Sequence, residues 1–206
     1  MNRIIEDKVS DRLQLWIDGV GGYLVLPGDR IVIGQAMRSA GVDLPILGDL
    51  RRRHALIRRR EGEYLLEPLA ETRLNGKLIE VSMPLAHQDK IQLGESVEML
   101  FRKPHPLSSS ATLRLISRQR TEPASDGILL LADSLIMGPR PANHVICPRW
   151  DEDVVLYREP GGLAVRSKTT LQSGATDEQV RRLTLGQPVY GDEEVSFCVE
   201  SWSDRA

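Results

Sequence analysis

The chain has 206 residues, of which 41% are hydrophobic and 27% are charged, a balance typical of a globular protein with one large or two small domains. The net charge of −2 gives no general attraction to nucleic acid, and no apolar stretch is long enough to span a membrane. The first residues carry no apolar signal region, and Cys147 and Cys198 are too few for a disulfide framework. We therefore expect a cytoplasmic protein whose thiols are reduced and at least half-buried.

Short β-strand signals dominate the chain. Apolar residues that alternate with other residues, and short apolar runs bounded by turn residues, predict strands at 13–17, 23–26, 30–33, 55–57, 64–66 and 97–101. Glu61-Gly62, between two of these strands, predicts a hairpin turn. Many short strands separated by turns are typical of an all-β sandwich.

Two segments of the second half are interpreted differently. Residues 176–183, with two acidic residues near the start, are the best helix candidate of the chain, although the segment is short. The acidic runs at 151–153 and 192–194 are interpreted as solvated turns.

The apolar pattern of the first half recurs in the second half. Residues 55–62 match 154–161 at a constant offset, and the apolar positions of 85–101 match those of 183–199 at another constant offset. The Pro/Ser-rich segment between them predicts a linker at 104–110, with one domain at 11–103 and a second at 111–203. The alternative is that any two β-sandwich segments look alike at this level.

The first half resembles the forkhead-associated (FHA) domain family over residues 13–102. The residues that carry the resemblance are Gly34 at the end of a predicted strand, the loop Arg51-Arg-Arg-His54, the turn Asn75-Gly76, and a closing run at 85–94 with the pattern Asp-x-Ile-x-x-Gly. The resemblance implies two tandem FHA-like antiparallel β-sandwiches, the second one degenerate.

FHA domains are phosphothreonine readers, so the resemblance also implies a site and shows where it is altered. Gln35 stands where the family has a phosphate-binding arginine, and Arg51 stands where the family has a loop serine. The Thr-Asn-Gly loop of the family is missing, because residues 68–73 run straight to the Asn75-Gly76 turn. We expect phosphothreonine recognition to be weakened or lost.

The candidate binding residues are therefore Gln35, Arg51, Arg52, Arg53 and Asn75. In one interpretation the arginines rebuild an anion site that binds a phosphate or carboxylate, since guanidinium groups offer charged donors in a fixed fork. In the other they form a solvated loop and pair with Asp49, Glu61 or Glu63, contacts that contribute little.

Gly34 and His54 are interpreted as structural residues of the same loop. The resemblance implies that the histidine braces the loop through hydrogen bonds. No carboxylate or nucleophile lies at a spacing that would suit His54 for acid–base catalysis.

The second half departs further from the family pattern. Gly138-Pro-Arg140 is a displaced relic of the strand-end motif, and the loop at 149–153 is acidic, which would repel phosphate. This half is either a packing partner for the first or a homodimerisation module. Trp150 and Trp202 are candidate interface anchors, with burial in their own sandwich as the alternative.

No catalytic motif, metal-ligand cluster or cofactor loop is present in the sequence, and the glycines at 19–22 lack the context of a nucleotide-binding loop. We expect a non-enzymatic, bacterial-type adaptor that binds a protein partner and neither nucleic acid nor membrane. The alternative is an active phosphothreonine-peptide binder that uses the arginine loop.

Overall fold

The computed structural model of the protein describes residues 12–37, 41–105, 107–173, 176–191 and 194–202. These residues form β-strands and no helix, which confirms the predicted all-β fold. Within them, therefore, no helix is long and apolar enough to cross a membrane.

The strands match the apolar alternation of the sequence closely. The predicted hairpin at Glu61-Gly62 is confirmed, and both turn residues have positive φ angles, of 54° and 80°. The strands before the predicted linker are β1 (Leu13–Ile17), β2 (Gly21–Leu26), β3 (Arg30–Gln35), β4 (Leu44–Leu47), β5 (Ala55–Arg60), β6 (Glu63–Pro68), β7 (Thr72–Leu74), β8 (Lys77–Ile79), β9 (Met83–Pro84), β10 (Lys90–Leu93) and β11 (Val97–Arg102). Those after it are β12 (Ala111–Leu115), β13 (Arg120–Thr121), β14 (Gly127–Leu130), β15 (Ser134–Gly138), β16 (Val145–Ile146), β17 (Val154–Glu159), β18 (Gly162–Ser173), β19 (Thr176–Arg182), β20 (Pro188–Tyr190) and β21 (Ser196–Ser201).

The strands of the described residues form one 6-stranded and one 15-stranded sheet. The smaller sheet has the order β13-β4-β3-β5-β6-β9. The larger has the order β16-β15-β17-β18-β20-β21-β1-β2-β14-β12-β11-β10-β7-β8, with β19 paired to β18. Most pairs are antiparallel, and β3–β4, β2–β14 and β15–β16 are parallel.

The first hydrophobic core lies between the smaller sheet and one end of the larger one. Ile33, Ile57 and Leu66 from the smaller sheet pack with residues of β7, β10 and β11, and the Tyr64 ring meets Phe101 edge-on at 5.3 Å. Leu113 from β12 and Ile128 from β14 belong to this same core. Two strands that follow the predicted linker therefore complete the first core.

The second core shows the reciprocal arrangement. Leu13, Leu15 and Ile17 from β1 pack with strands β15 to β18 and β21, far along the chain. The central strands β2 and β14 serve both cores, because alternate residues point to opposite faces of a sheet: Leu24 belongs to the first core and Val25 to the second. The division into cores therefore does not coincide with a division of the chain at residues 104–110.

The two halves share one arrangement of strands. In the first, β3 pairs in parallel with β4 and antiparallel with β5, which continues into β6. In the second, β15 pairs in parallel with β16 and antiparallel with β17, which continues into β18. The orders β4-β3-β5-β6 and β16-β15-β17-β18 therefore correspond strand by strand.

The structure corrects the predicted helix in the second half. Residues 176–182 form strand β19, which pairs antiparallel with β18. So short a helix is marginal without tertiary support, and the neighbouring strand offers a full set of backbone partners instead.

The predicted interface tryptophans do not form an exposed pair. Trp150 is buried in the second core beside Phe197, and Trp202 packs partly against the first core under the Arg12 guanidinium. Both cysteines are free; Cys147 is buried and Cys198 half-buried, as expected.

Candidate functional site

Three consecutive arginines occupy the loop between β4 and β5. Leu50 before them and His54 after them are buried, whereas Arg51, Arg52 and Arg53 are all exposed. The sequence produces this arrangement because an apolar anchor on one side and a buried ring on the other hold the ends of a short charged segment. We call residues 51–53 the arginine loop.

The buried ring of His54 connects the arginine loop to the neighbouring β6–β7 loop. The backbone N–H of Arg51 donates to Nδ1 of His54 at 3.2 Å. Because Nδ1 accepts, the ring proton lies on Nε2, which donates to the carbonyl oxygen of Glu71 at 2.8 Å. Both ring nitrogens are thus used for backbone hydrogen bonds.

The end of β3 lies directly against the arginine loop. The backbone N–H of Gln35 donates to the carbonyl of Arg51 at 3.1 Å. A Cβ atom on Gly34 would lie 2.0 Å from the carbonyl oxygen of Arg52, closer than any side chain allows. The strand can approach the loop this closely only because residue 34 is a glycine.

The arginine side chains do not make the acid pairs of the second interpretation. Among the residues that the structure describes, Arg51, Arg52 and Arg53 form no ion pair with any carboxylate. Glu63 pairs instead with Lys103 at 3.2 Å, and Glu71 pairs with Arg73 at 3.1 Å. The three guanidinium groups are exposed and available to an external anion.

A groove of about 1010 Å³ opens beside the arginine loop. Its other walls come from the β6–β7 loop, with Leu69 and Glu71, and from the β10–β11 turn, with Gly94 and Glu95. Positive and negative side chains therefore border the same groove, and the exposed Leu69 supplies an apolar contact.

Asn75 lies apart from this groove. It has a positive φ of 52° in the turn between β7 and β8. Its side-chain amide donates to Asp89 at 2.7 Å, and its side-chain oxygen accepts from the Lys90 amide at 2.9 Å. The structure thus brings Gly34, Gln35, His54 and the arginine loop together and leaves Asn75 outside.

The equivalent acidic loop of the second half is closed by its own hydrogen bonds. The Glu152 carboxylate accepts from the hydroxyls of Ser167 and Thr169 and, at 2.9 Å, from the Lys168 amide. Asp153 accepts from Asn143 at 2.7 Å and pairs with Arg140 at 3.4 Å. The prediction of solvated turns is wrong for Glu152 and Asp153, which are half-buried and bonded.

Sequence analysis missed the groove residues that lie outside the loop. The backbone carbonyl of Glu71 accepts the hydrogen bond from His54. Because every residue has a backbone carbonyl, this contact cannot be predicted from the residue type. Gly94 is part of the closing run in the sequence, and its position beside the His54 ring depends on the fold. Within the described residues, no cluster of histidine, cysteine and acidic side chains could hold a metal ion.

Comparison with protein families identifies the part of the chain that carries this groove. The family model for the FHA domain matches residues 27–94, from just before β3 to just after β10. Residues 27–94 form an FHA domain. FHA domains are non-enzymatic protein-interaction modules that bind phosphothreonine. The arginine loop, His54 and the groove residues other than Glu95 lie inside this FHA domain.

The chain is similar to several solved FHA structures. The FHA domain of an Arabidopsis thaliana hypothetical protein is 25% identical over 44% of this chain and 84% of that one, with a TM-score of 0.34. A chain from a structural and functional analysis of phosphothreonine-dependent FHA domain interactions is 30% identical over 47% and 99%, with a TM-score of 0.34. The N-terminal FHA domain from EssC, a component of the bacterial Type VII secretion apparatus, is 11% identical over 93% of each chain, with a TM-score of 0.25. A search of curated proteins found no match.

Proposed function

We propose that the FHA domain binds acidic groups of a protein partner through the arginine loop, and that its preference for phosphothreonine is weakened or lost. One observation carries this proposal: Arg51, Arg52 and Arg53 are exposed beside a groove and, among the described residues, form no ion pair. A guanidinium group binds carboxylates and phosphates alike, because both present two oxygens to its fork of donors.

The weakened preference for phosphate is supported by Gln35 and Asn75. The half-buried Gln35 brings no charge to the loop that its backbone contacts. The amide of Asn75 is occupied by Asp89 and Lys90. A dianionic phosphate would therefore gain little over a carboxylate at this groove, which also contains the acidic side chains of Glu71 and Glu95.

The exposure of the arginines limits the strength of each contact. An exposed ion pair contributes only about 0.2–1 kcal/mol. Three such pairs amount to roughly 1–3 kcal/mol, so specificity must also come from Leu69 and the groove walls. We expect binding that weakens as the salt concentration rises.

We infer that the second half is a degenerate copy of the FHA sandwich that acts as a scaffold. The matching strand orders β4-β3-β5-β6 and β16-β15-β17-β18 support this proposal. Its acidic loop is occupied by internal hydrogen bonds to Glu152 and Asp153, which favours a structural role. The whole chain then functions as a cytoplasmic, bacterial-type adaptor, with a homodimer as a further arrangement to be measured.

The deciding experiment is a binding screen with the full chain. Three matched peptide libraries carry phosphothreonine, threonine or glutamate at one fixed position. We expect the glutamate and phosphothreonine libraries to bind with similar affinity, and the threonine library to bind more weakly. The double variant Arg51→Glu/Arg52→Glu should lose binding to both acidic libraries.

The chain offers a matched control for the charge reversal. Arg30 and Arg60 are exposed arginines at the opposite end of the same sheet. Arg30→Glu/Arg60→Glu changes the net charge by the same amount and should leave peptide binding unchanged. Equal binding by the Arg51/Arg52 variant and the native chain would overturn the proposal.

The second candidate function is an active phosphothreonine-peptide binder. The position of the unpaired arginine loop inside the FHA domain favours it, because Arg51 can supply the positive charge that Gln35 lacks. If this function is correct, the chain binds only the phosphothreonine library in the same screen, and Arg51→Ala loses that binding.

A further inference from the structure

Strand β4, which leads into the arginine loop, is paired on both sides. On one side it pairs with β3, which also contacts the loop through Gln35. On the other side it pairs with β13, where Arg120 lies opposite Leu47 and Thr121 lies opposite Ile46. Without β13, β4 would be the edge strand of the smaller sheet and would present unpaired backbone groups to solvent.

Strand β13 comes from the second half of the chain. It lies outside residues 27–94, the part that matches the FHA family model. It belongs to the connection between β12 and β14, residues 116–126, which we call the β12–β14 segment. Strands β1 and β2, which occupy the matching positions beside the second core, are joined by residues 18–20 alone. The longer connection therefore adds a strand to the FHA sheet that has no counterpart between β1 and β2.

The additional strand is found beside only one of the two equivalent loops. The counterpart of β4 in the second half is β16, which ends the larger sheet and pairs with β15 alone within the described part of the chain. The loop after β16 is the acidic one, which the hydrogen bonds of Glu152 and Asp153 already close. Strand β13 thus supports the exposed arginine loop, which lacks such internal bonds between side chains.

Both ends of the β12–β14 segment are fixed to strands of the larger sheet. At its start, the Ile116 amide donates to the carbonyl of Glu98 in β11 at 2.9 Å. At its end, the Asp126 amide donates to the carbonyl of Gly22 in β2 at 2.7 Å, and the Asp126 carboxylate accepts from the Gly22 amide at 2.8 Å. The segment therefore leaves the larger sheet, adds a strand to the smaller one and returns, with little freedom to shift.

The contact between this segment and β4 extends to the start of the arginine loop. The Glu122 amide donates to the carbonyl of Pro45 at 3.0 Å. A Cβ atom at Gly48 would lie 3.2 Å from Cγ of Gln119, so the glutamine side chain packs directly on the backbone of residue 48. Gly48 lies three residues before Arg51. A shift of the segment would therefore move backbone that leads directly into the arginine loop.

We propose that the β12–β14 segment positions the arginine loop, with Gln119 and Thr121 as its positioning residues. This inference rests on the proposed function, because the loop that is positioned is the proposed binding site. Exposed guanidinium groups bind an anion better from a loop of fixed geometry, since a flexible loop must first lose conformational entropy. The second half is then more than a scaffold, because it contributes a strand that the binding site requires.

The test loosens β13 in the full chain with Gln119→Gly/Thr121→Gly, the β13 variant. Glycine weakens a strand, and this pair of substitutions leaves the net charge unchanged. The matched control is Met83→Gly/Pro84→Gly, the β9 variant, which loosens the strand at the opposite edge of the same sheet. Both variants should lower the midpoint of urea denaturation.

Two measurements separate positioning from general stability. The first is the affinity for the glutamate peptide that the native chain binds most tightly. The second is hydrogen exchange at the Arg51 amide, which donates to His54 in the native chain. In the β13 variant we expect roughly fivefold weaker binding, since a looser loop must be ordered on binding, and faster exchange at Arg51. The β9 variant should match the native chain in both measurements.

A conservative pair of variants replaces the glycine variant if that variant does not fold. The Thr121 side chain is buried, and its hydroxyl donates to the Pro123 carbonyl at 2.7 Å. Thr121→Ser retains this hydroxyl, whereas Thr121→Val removes it and keeps the branched shape. We expect faster exchange at the Arg51 amide in Thr121→Val than in Thr121→Ser.

The proposal is overturned by native exchange at the Arg51 amide in the β13 variant, or by equal exchange in Thr121→Val and Thr121→Ser. An equal loss of binding in the β9 variant would also overturn it, because the effect would then reflect stability alone. If the native chain binds no acidic peptide, the proposed function fails instead. Exchange at the Arg51 amide still decides in that case whether the β12–β14 segment positions the loop.

Discussion

Leu15 in strand β1 pairs directly with Val199 in strand β21. The equivalent position beside β11 is taken by β12, where Leu113 pairs with Phe101. Strand β1 thus lies on the second core and β12 on the first, an arrangement that we call the strand exchange. Neither core is complete without residues from both sides of the 104–110 segment.

This exchange predicts that residues 1–106 alone do not fold as the full chain does. The fragment lacks Ala111, Leu113, Ile128 and Leu130 of the first core. Burying a leucine or isoleucine contributes about 1.5–3 kcal/mol, so these residues account for a large part of a typical stability of ~5–15 kcal/mol. We expect no cooperative thermal transition for the fragment in circular dichroism.

The complementary fragment provides the control for this truncation. Mixing residues 1–106 with residues 107–206 should restore a cooperative transition, because both sets of exchanged strands are then present. A monomeric 1–106 fragment that unfolds cooperatively would contradict the prediction, and it would indicate that the hairpin of β1 and β2 moves onto β11.

The strands were predictable from the sequence because each carries a local signal. Alternation at Val97, Met99 and Phe101 predicted β11 correctly, and Glu61-Gly62 predicted the β5–β6 hairpin. The exchange of β1 and β12 is not predictable, since the strands of Leu13 and Leu113 carry the same alternation, which does not specify whether a strand pairs with β11 or with β21. Which strand pairs with β11 and which with β21 depends on the three-dimensional path of the chain, and a local sequence pattern does not specify that path.

The candidate site was predictable in part, for a similar reason. Gly34 and the loop at residues 51–54 are two of the motifs that carry the family resemblance, and the structure places them together. Asn75 belongs to a turn that the sequence predicts, but the contacts of its side chain with Asp89 and Lys90, 14 and 15 residues further along the chain, depend on the fold.

Gly34→Ala should displace the arginine loop. Its new Cβ atom would lie 2.0 Å from the backbone carbonyl oxygen of Arg52. Because the clash is with backbone, the strand or the loop must move to relieve it. Overpacking of this kind typically costs about 1–3 kcal/mol. We expect a lower midpoint in urea denaturation and weaker binding of acidic peptides.

Gly28→Ala is the matched control for this substitution. The nearest atom to a Cβ at residue 28 is the Arg30 carbonyl at 3.4 Å, an ordinary contact. This variant should unfold near the native midpoint and retain peptide binding. If Gly34→Ala and Gly28→Ala have the same urea midpoint, the prediction is wrong, because a methyl group at residue 34 then fits between β3 and the arginine loop without strain.

His54→Ala should loosen the arginine loop without abolishing the fold. The substitution leaves the Arg51 amide and the Glu71 carbonyl without their ring partners. Each lost hydrogen bond contributes roughly 0.5–1.5 kcal/mol, with an additional cost for a cavity at a buried residue. Hydrogen exchange should speed up at the Arg51 amide, where the ring accepts, while amides in the middle of β5 remain protected. If hydrogen exchange at the Arg51 amide is unchanged in His54→Ala, then His54 does not brace the arginine loop.

The Glu152 carboxylate should make the second half sensitive to acid. Burial alone would raise its pKa, but the hydrogen bonds from Ser167, Thr169 and the Lys168 amide outweigh burial and lower the pKa below its ordinary value of 4.5. A carboxylate with a lowered folded-state pKa stabilises the fold above its unfolded pKa, and this stabilisation is lost as pH falls through the folded pKa. Glu152→Gln should therefore lower the melting temperature at pH 7 and have a smaller effect near pH 3.

A second background shows whether this pH dependence comes from the hydrogen bonds. Ser167→Ala/Thr169→Val removes both hydroxyl donors to Glu152 and retains the backbone amides. In that background Glu152→Gln should produce a smaller difference in melting temperature between pH 7 and pH 3, because contacting groups are not additive. If Glu152→Gln shifts the melting temperature equally at both pH values in the native background, its effect does not depend on ionisation. The loop is then held by shape and neutral hydrogen bonds rather than by the charge of the carboxylate.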